Sequence, residues 1–166
     1  MFYRLHCLID KQFYNWISAN IKEDRMKRVK NGLYVTLDSM GSLSSNKFEI
    51  ASKITETAFI AYHSALEFYG LANQVYNTVI VGSKTKFHTF EFEDIEYEGV
   101  MVKNYHGVNF IEKANVRVSS LERTIIDCID NINLAGGIEE VLNALEQVSK
   151  INESKLLAAL SSYNNI

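Results

Sequence analysis

The sequence predicts an α+β fold: a short helix-and-hairpin segment at the N-terminus, then an antiparallel sheet packed with C-terminal helices. Three observations predict it. Residues 75–118 alternate apolar and polar with a period of two and carry no helical stretch between their runs. Residues 121–160 place apolar side chains at helical spacing, with Gly136-Gly137 separating the first helix from the next. Ahead of both lies Asn31-Gly32, the strongest short-range hairpin signal, because both central positions of a type I′ turn need positive φ.

Residues 2–9 and 10–20 read as two short helical segments, the second with Phe13, Trp16 and Ile17 on one side and Asp10 as its N-cap. Residues 25–36 read as the hairpin, with Met26 and Val29 on one arm and Leu33 and Val35 on the other. The polar stretch 38–46 is the expected boundary between a segment 1–37 and a body 47–166. Helices are expected over 47–54 and over 62–71, the latter with Tyr62, Ala65, Leu66 and Tyr69 on one face and Gly70 at its end. Strands follow at 75–81, around His88, Phe90 and Phe92, at 95–105 and at 108–111, with breaks at Glu98-Gly99 and His106-Gly107. With no helices between them they imply antiparallel pairing. Ser119-Ser120-Leu121-Glu122 matches a capping box with Ser119 bonding forward and Glu122 back. The helix it opens carries Leu121, Ile125, Ile129 and Ile132; the next turns Ile138, Val141, Leu142, Leu145 and Val148 inward; a last one over 153–161 gathers Leu156, Leu157 and Leu160.

A chain of 166 residues, 47% hydrophobic and 22% charged, buries a core without staples, which excludes wholesale disorder. No apolar run reaches the ~18 residues of a membrane span, and the N-terminus lacks a secretory pattern. Two cysteines, Cys7 and Cys128, make neither a disulfide framework nor a metal knuckle, and the expected compartment is the reducing cytoplasm. Net charge is −3, but unevenly spread: residues 1–31 hold seven Lys/Arg against three Asp/Glu, and the remainder ten against seventeen.

No motif for an enzyme, metal or cofactor emerges. His6, His63, His88 and His106 lack metal-ligand spacing, and Cys128 sits on an apolar helix face. Gly82-Ser83 followed by Glu91 and Glu93 has the order in which nucleotidyltransferases hold phosphate and magnesium, but solvent-facing glutamates at a strand end account for it better. A degenerate nucleotidyltransferase is the least favoured reading. The basic hairpin remains. Lys22, Arg25, Lys27, Arg28 and Lys30 crowd beside a helix bearing Lys11, Gln12 and Asn15. Winged-helix proteins meet DNA in this way, with the helix in the major groove and the wing on a phosphate ridge, although a solvated hairpin would carry the same charge. Alternation puts Arg25 and Lys27 on one face and Met26 and Arg28 on the other.

Three stretches in order resemble the AbiEi-type antitoxins of abortive-infection toxin–antitoxin systems: Asn31-Gly32-Leu33-Tyr34-Val35 its wing, Tyr62 to Leu71 its "SALxxhGL" helix, and Ser119 to Asp127 its "PERTllD" segment. Leu121 stands where the family has proline. The resemblance implies a transcriptional regulator with an N-terminal winged helix that binds an inverted-repeat operator as a homodimer. It further implies a C-terminal domain that counters a nucleotidyltransferase-like toxin. Lys11, Gln12 and Asn15 would then lie on the recognition helix and Arg25, Lys27, Arg28 and Lys30 in the wing. The first helix of a winged domain has no room before residue 2, so residues 1–37 are expected to be a truncated version. His63, Ser64, Glu122, Arg123 and Asp127 are either structural or a surface for a partner. The alternative function is a protein-interaction module without DNA binding.

Overall fold

The structure, a computed structural model, describes residues 2–4 and 11–163. At the N-terminus, β1 (Phe2–Arg4), α1 (Lys11–Lys22), β2 (Met26–Lys30) and β3 (Leu33–Thr36) build a three-stranded antiparallel sheet in the order β1-β3-β2. The helix expected over 2–9 begins instead as a strand, in which Phe2 pairs with Val35 and Arg4 with Leu33. An isolated short helix is marginal, whereas aromatic residues on the free edge of β3 gain a ladder. His6, Cys7 and the Asp10 cap lie outside the described residues.

The two faces of this sheet do different work. Tyr34 and Met26 pack beneath α1 against Phe13, Ile17 and Ile21. Leu33, Val35 and Val29 point the opposite way, into the main core. The turn is not type I′, since Gly32 has φ 78° but Asn31 is not left-handed. The register slips by one residue between Arg28 and Lys30. This bulge adds the half-period that brings Lys30 to the face already occupied by Lys27.

In the body, α2 (Lys47–Ala51) stops short of the expected 54 and is held by Asn46, whose side chain accepts from the Phe48 and Glu49 amides while Glu49 accepts from the Asn46 amide. There follow β4 (Phe59–Ile60), α3 (Tyr62–Phe68), β5 (Thr78–Ser83), β6 (Phe90–Phe92), β7 (Ile95–Met101), β8 (Val108–Ile111) and β9 (Val116–Ser119). They form one sheet in the order β6-β7-β5-β4-β9-β8. The sheet is mixed, correcting the expected antiparallel pairing: β5 runs parallel to β7, and β4 to β9. The cause is the three-residue β6. Glu93 and Asp94, both left-handed at φ 51° and 58°, make a tight primed turn that sends β7 back between β6 and β5, along the direction of β5. Gly99, expected as a break, lies inside β7, where a Cβ would sit 3.0 Å from the Phe87 ring.

Gly82 faces Phe59 across β4 and β5, and a Cβ there would lie 2.4 Å from the ring. Phe59 is fully buried, edge-on to Tyr105 and under the Arg123 guanidinium, so it cannot retreat. Gly82→Ala is therefore expected to destabilise by about 3 kcal/mol, read as a lowered urea midpoint.

The C-terminal layer is α4 (Leu121–Asp130), a 3₁₀ turn (Ile132–Ala135), α5 (Ile138–Gln147) and α6 (Glu153–Tyr163). The N-cap is displaced by one residue and the reciprocal half of the expected box does not form. Ser120, not Ser119, accepts from the Arg123 amide, because Ser119 ends β9 with its hydroxyl bonded to Thr124 and the Ile60 carbonyl. Glu122 accepts from the Asn152 amide at the head of α6 rather than capping its own helix. The inward stripe expected for α5 holds at Val141 and is corrected elsewhere: Glu140 and Ala144 are buried with it, whereas Ile138, Leu142 and Leu145 face solvent. Ile129, Ile132, Leu157 and Leu160 are exposed as well.

Residues 38–46 form a folded turn. Asp38 accepts from the Met40 and Ser42 amides, Leu37 bridges Leu43, and Leu43 packs on the core. One apolar cluster joins Val29, Leu33 and Val35 to Ile50, Ile54, Ile60, Val79, Val81, Tyr97, Val116 and Val118. Apolar packing thus crosses the boundary expected between residues 1–37 and 47–166. Among the described residues no helix is long and apolar enough to cross a membrane.

Candidate nucleic-acid interface and buried polar network

Lys11, Gln12 and Asn15 lie together on the exposed side of α1, opposite Phe13, Ile17 and Ile21. Arg28 pairs in register with Tyr34 and so shares the sheet face that carries α1; its guanidinium reaches Asn31 at 3.4 Å. Arg25, just before β2, is exposed and pairs with Glu23 at 3.0 Å. Lys27 and Lys30 turn to the body instead. Lys27 Nζ lies 2.6 Å from Glu93 Oε1, and Lys30 Nζ stands 5.1 Å and 5.4 Å from the centres of the Phe87 and Phe90 rings. The basic hairpin is therefore divided: Arg25 and Arg28 remain exposed, Arg28 on the sheet face that carries α1, while Lys27 and Lys30 fasten the hairpin to the β6–β7 edge.

Gly82-Ser83 and the glutamates after it do not meet. Ser83 Oγ sits among Thr55 Oγ1 at 2.7 Å, Thr57 Oγ1 at 3.2 Å and the Thr85 amide at 3.0 Å. Glu91 is opposite Glu96, which lies level with Thr78 at the other end of β5, roughly 16 Å along the strand from Ser83. Glu93 is occupied by Lys27.

His63, Ser64, Glu122, Arg123 and Asp127 are all buried. His63 Nε2 lies 3.2 Å from Glu140 Oε1, the same oxygen that accepts from the Asn73 and Gln74 amides at 2.6 and 3.1 Å. The imidazole leans on Tyr76 with ring centres 4.5 Å apart, at the wall of a 470 Å³ cavity shared with Thr78, Glu98 and Asn133. Ser64 accepts from the Ile80 amide at 2.8 Å, joining α3 to β5. Arg123 donates through Nε to Asp127 at 3.2 Å and through Nη1 to the His106 carbonyl and to Asn104. Burial pushes the Asp127 carboxyl up to about 6 against the opposing pull of Arg123, with Asp130 adding to the rise. These five residues hold helices to the sheet and to one another, which favours their structural reading over a partner surface.

Arg117 was not singled out by the sequence, although it ties β9 to the α2–β4 connection. Its Nε donates to the Ala58 carbonyl at 2.8 Å, and its Nη2 donates to the carbonyls of Thr55 at 3.2 Å and of Ser52. Nothing in VRVS distinguishes such an arginine from an outward-facing one. Burial, followed by Asp127, raises the Cys128 thiol to about 12, which leaves it un-ionised and poorly suited to nucleophilic work. Among the described residues, no set of three His, Cys, Asp or Glu side chains is placed to hold a metal ion. No protein-family model matches the chain, and no curated protein matches it.

Proposed function

We propose that the protein is an AbiEi-like antitoxin and transcriptional regulator of the cytoplasm. In this reading it binds its own operator through α1 and the β2–β3 hairpin and counters a nucleotidyltransferase-like toxin. The observation that supports this most is the connectivity β1-α1-β2-β3 with sheet order β1-β3-β2. A winged helix has the same sheet order, with two helices between its first two strands where α1 alone stands among the described residues, and here α1 presents Lys11, Gln12 and Asn15 outward.

With Lys27 and Lys30 engaged by the body, Lys11, Arg25 and Arg28 are the expected phosphate contacts. Three such contacts give a log–log salt slope of about −2.7 per protomer, doubled for a dimer on an inverted repeat. Arg28→Ala should flatten the slope by about one unit per protomer, whereas Lys27→Ala should leave it nearly unchanged. Gln12→Ala or Asn15→Ala should reduce discrimination between operator and random DNA while sparing non-specific binding. Mobility-shift titrations against the gene's own upstream region check all three. Absence of a shift at micromolar protein would retire the operator reading, and failure to relieve growth arrest by a toxin encoded beside it would retire the antitoxin reading.

The second reading, a protein-interaction module, is favoured by the ion pair of Lys27 with Glu93 and by the stacking of Lys30 on Phe87 and Phe90, which divert two wing cations from DNA. It predicts no mobility shift together with intact protection from the toxin.

A further inference from the structure

Helix α5 turns its largest apolar side chains away from the protein. Ile138, Leu142 and Leu145 are 52%, 52% and 37% exposed, and at i, i+4 and i+7 they line up as one stripe. Glu140 sets this rotation. It points inward because its carboxylate receives His63 and the amides of Asn73 and Gln74, and it carries the smaller Val141 and Ala144 in with it. Ile132, exposed on the 3₁₀ turn packed against α5, adds to the apolar surface at the same end of the molecule.

At 100° per residue, Glu139 and Glu146 fall side by side on the flank of the stripe away from Val141 and Ala144. Both are exposed, and being seven residues apart they stand about 10 Å from one another along that flank as a two-carboxylate rail. No cation on α5 itself quenches it: residues 124–149 contain five Asp/Glu and no Lys or Arg, and the next basic residue, Lys150, lies beyond the end of the helix. A second copy of the chain docked on this face would set the Glu139–Glu146 rail against itself, with no cation on α5 to intervene. The complementary occupant is an amphipathic helix whose apolar side covers the stripe and whose flank carries Lys or Arg.

We propose that this face of α5 docks a basic amphipathic helix of a protein partner. The inference rests on the proposed function only in expecting such a partner. It is tested on the purified full chain without DNA or toxin, so its outcome is separate from theirs. The probe is a synthetic helix of leucine and lysine, about five turns long, with its leucine–glutamate counterpart as comparison. Anisotropy titration should show binding of the lysine peptide and at least about tenfold weaker binding of the glutamate peptide. Leu142→Glu, at an exposed position, should weaken lysine-peptide binding about tenfold or more while circular dichroism stays native. The double variant Glu139→Lys/Glu146→Lys should reverse the preference between the two peptides. Equal binding of both peptides, or binding unaffected by Leu142→Glu, overturns the proposal. So does sedimentation showing that Leu142→Glu splits a dimer, which would make a second copy the occupant.

Discussion

Deletion of residues 1–44 is expected to abolish the cooperative native state of the remaining chain. Val29, Leu33 and Val35 are 6%, 2% and 0% exposed, and they close the core over Ile50, Ile54, Val79, Val81 and Tyr97. Burying each is worth about 1.5–3 kcal/mol, so their removal forfeits roughly 5–9 kcal/mol before the newly exposed partners are counted. A domain of this size has about 5–15 kcal/mol in total. The deletion also frees Glu93 from Lys27 and strips Lys30 from the Phe87 and Phe90 rings. Residues 45–166 should therefore show weak near-ultraviolet circular dichroism and a broad urea transition, where the full chain shows a single steep one. An unchanged midpoint in the deleted chain would mean that residues 1–37 and 47–166 fold as independent units.

The elements that were legible in the sequence are those fixed by local chemistry. Helix α3 follows from the spacing of Tyr62, Ala65 and Leu66, and the β2–β3 hairpin from Asn31-Gly32 between apolar arms. What stayed hidden depends on residues distant in sequence. The parallel pairing of β5 with β7 follows from a β6 only three residues long and from a tight turn at Glu93-Asp94, a pair with weak left-handed preference. β4 has two residues, too few for any period. The rotation of α5 cannot be read from its own pattern, which puts Leu142 and Leu145 inward. It is decided by the bond from Glu140 to His63, seventy-seven positions apart. The charged hairpin shows the same limit at the candidate site. Alternation correctly separates Lys27 from Arg28, but only the bulge and the packed body decide that Lys27 and Lys30 face Glu93 and the phenylalanines while Arg28 stays with α1. Serines at both 119 and 120 leave the cap of α4 ambiguous by one residue, and β9, which claims Ser119, settles it.

Arg123→Ala is expected to cost about 3–5 kcal/mol at neutral pH and distinctly less at pH 4. Arg123 and Asp127 are 4% and 2% exposed, so removing the guanidinium strands a buried carboxylate and empties the donors serving Asn104 and the His106 carbonyl. The pH dependence follows from Asp127. Its pKa rises from an ordinary 3.8 to about 6 because burial outweighs the attraction of Arg123. A folded pKa above the unfolded one means that the native state holds the proton more tightly. The stability Asp127 contributes is thus complete below about pH 3.8 and lost as pH climbs through 6, a span worth about 3 kcal/mol at up to ~1.4 kcal/mol per unit. Without Arg123 the ionised carboxylate loses the neighbouring cation that favours it, its pKa climbs above 6, and the loss continues to higher pH. The gap between wild type and variant must therefore widen from pH 4 to pH 8. Urea midpoints at pH 4, 6 and 8 for wild type, Arg123→Ala, Asp127→Asn and the double variant measure this directly. The ionic part of the Arg123–Asp127 coupling energy should be full at pH 8 and nearly gone at pH 4, where Asp127 is neutral. A coupling of the same size at all three pH values would mean that the pair is held by shape and neutral hydrogen bonds, and that the charge on Asp127 has no part in fastening α4.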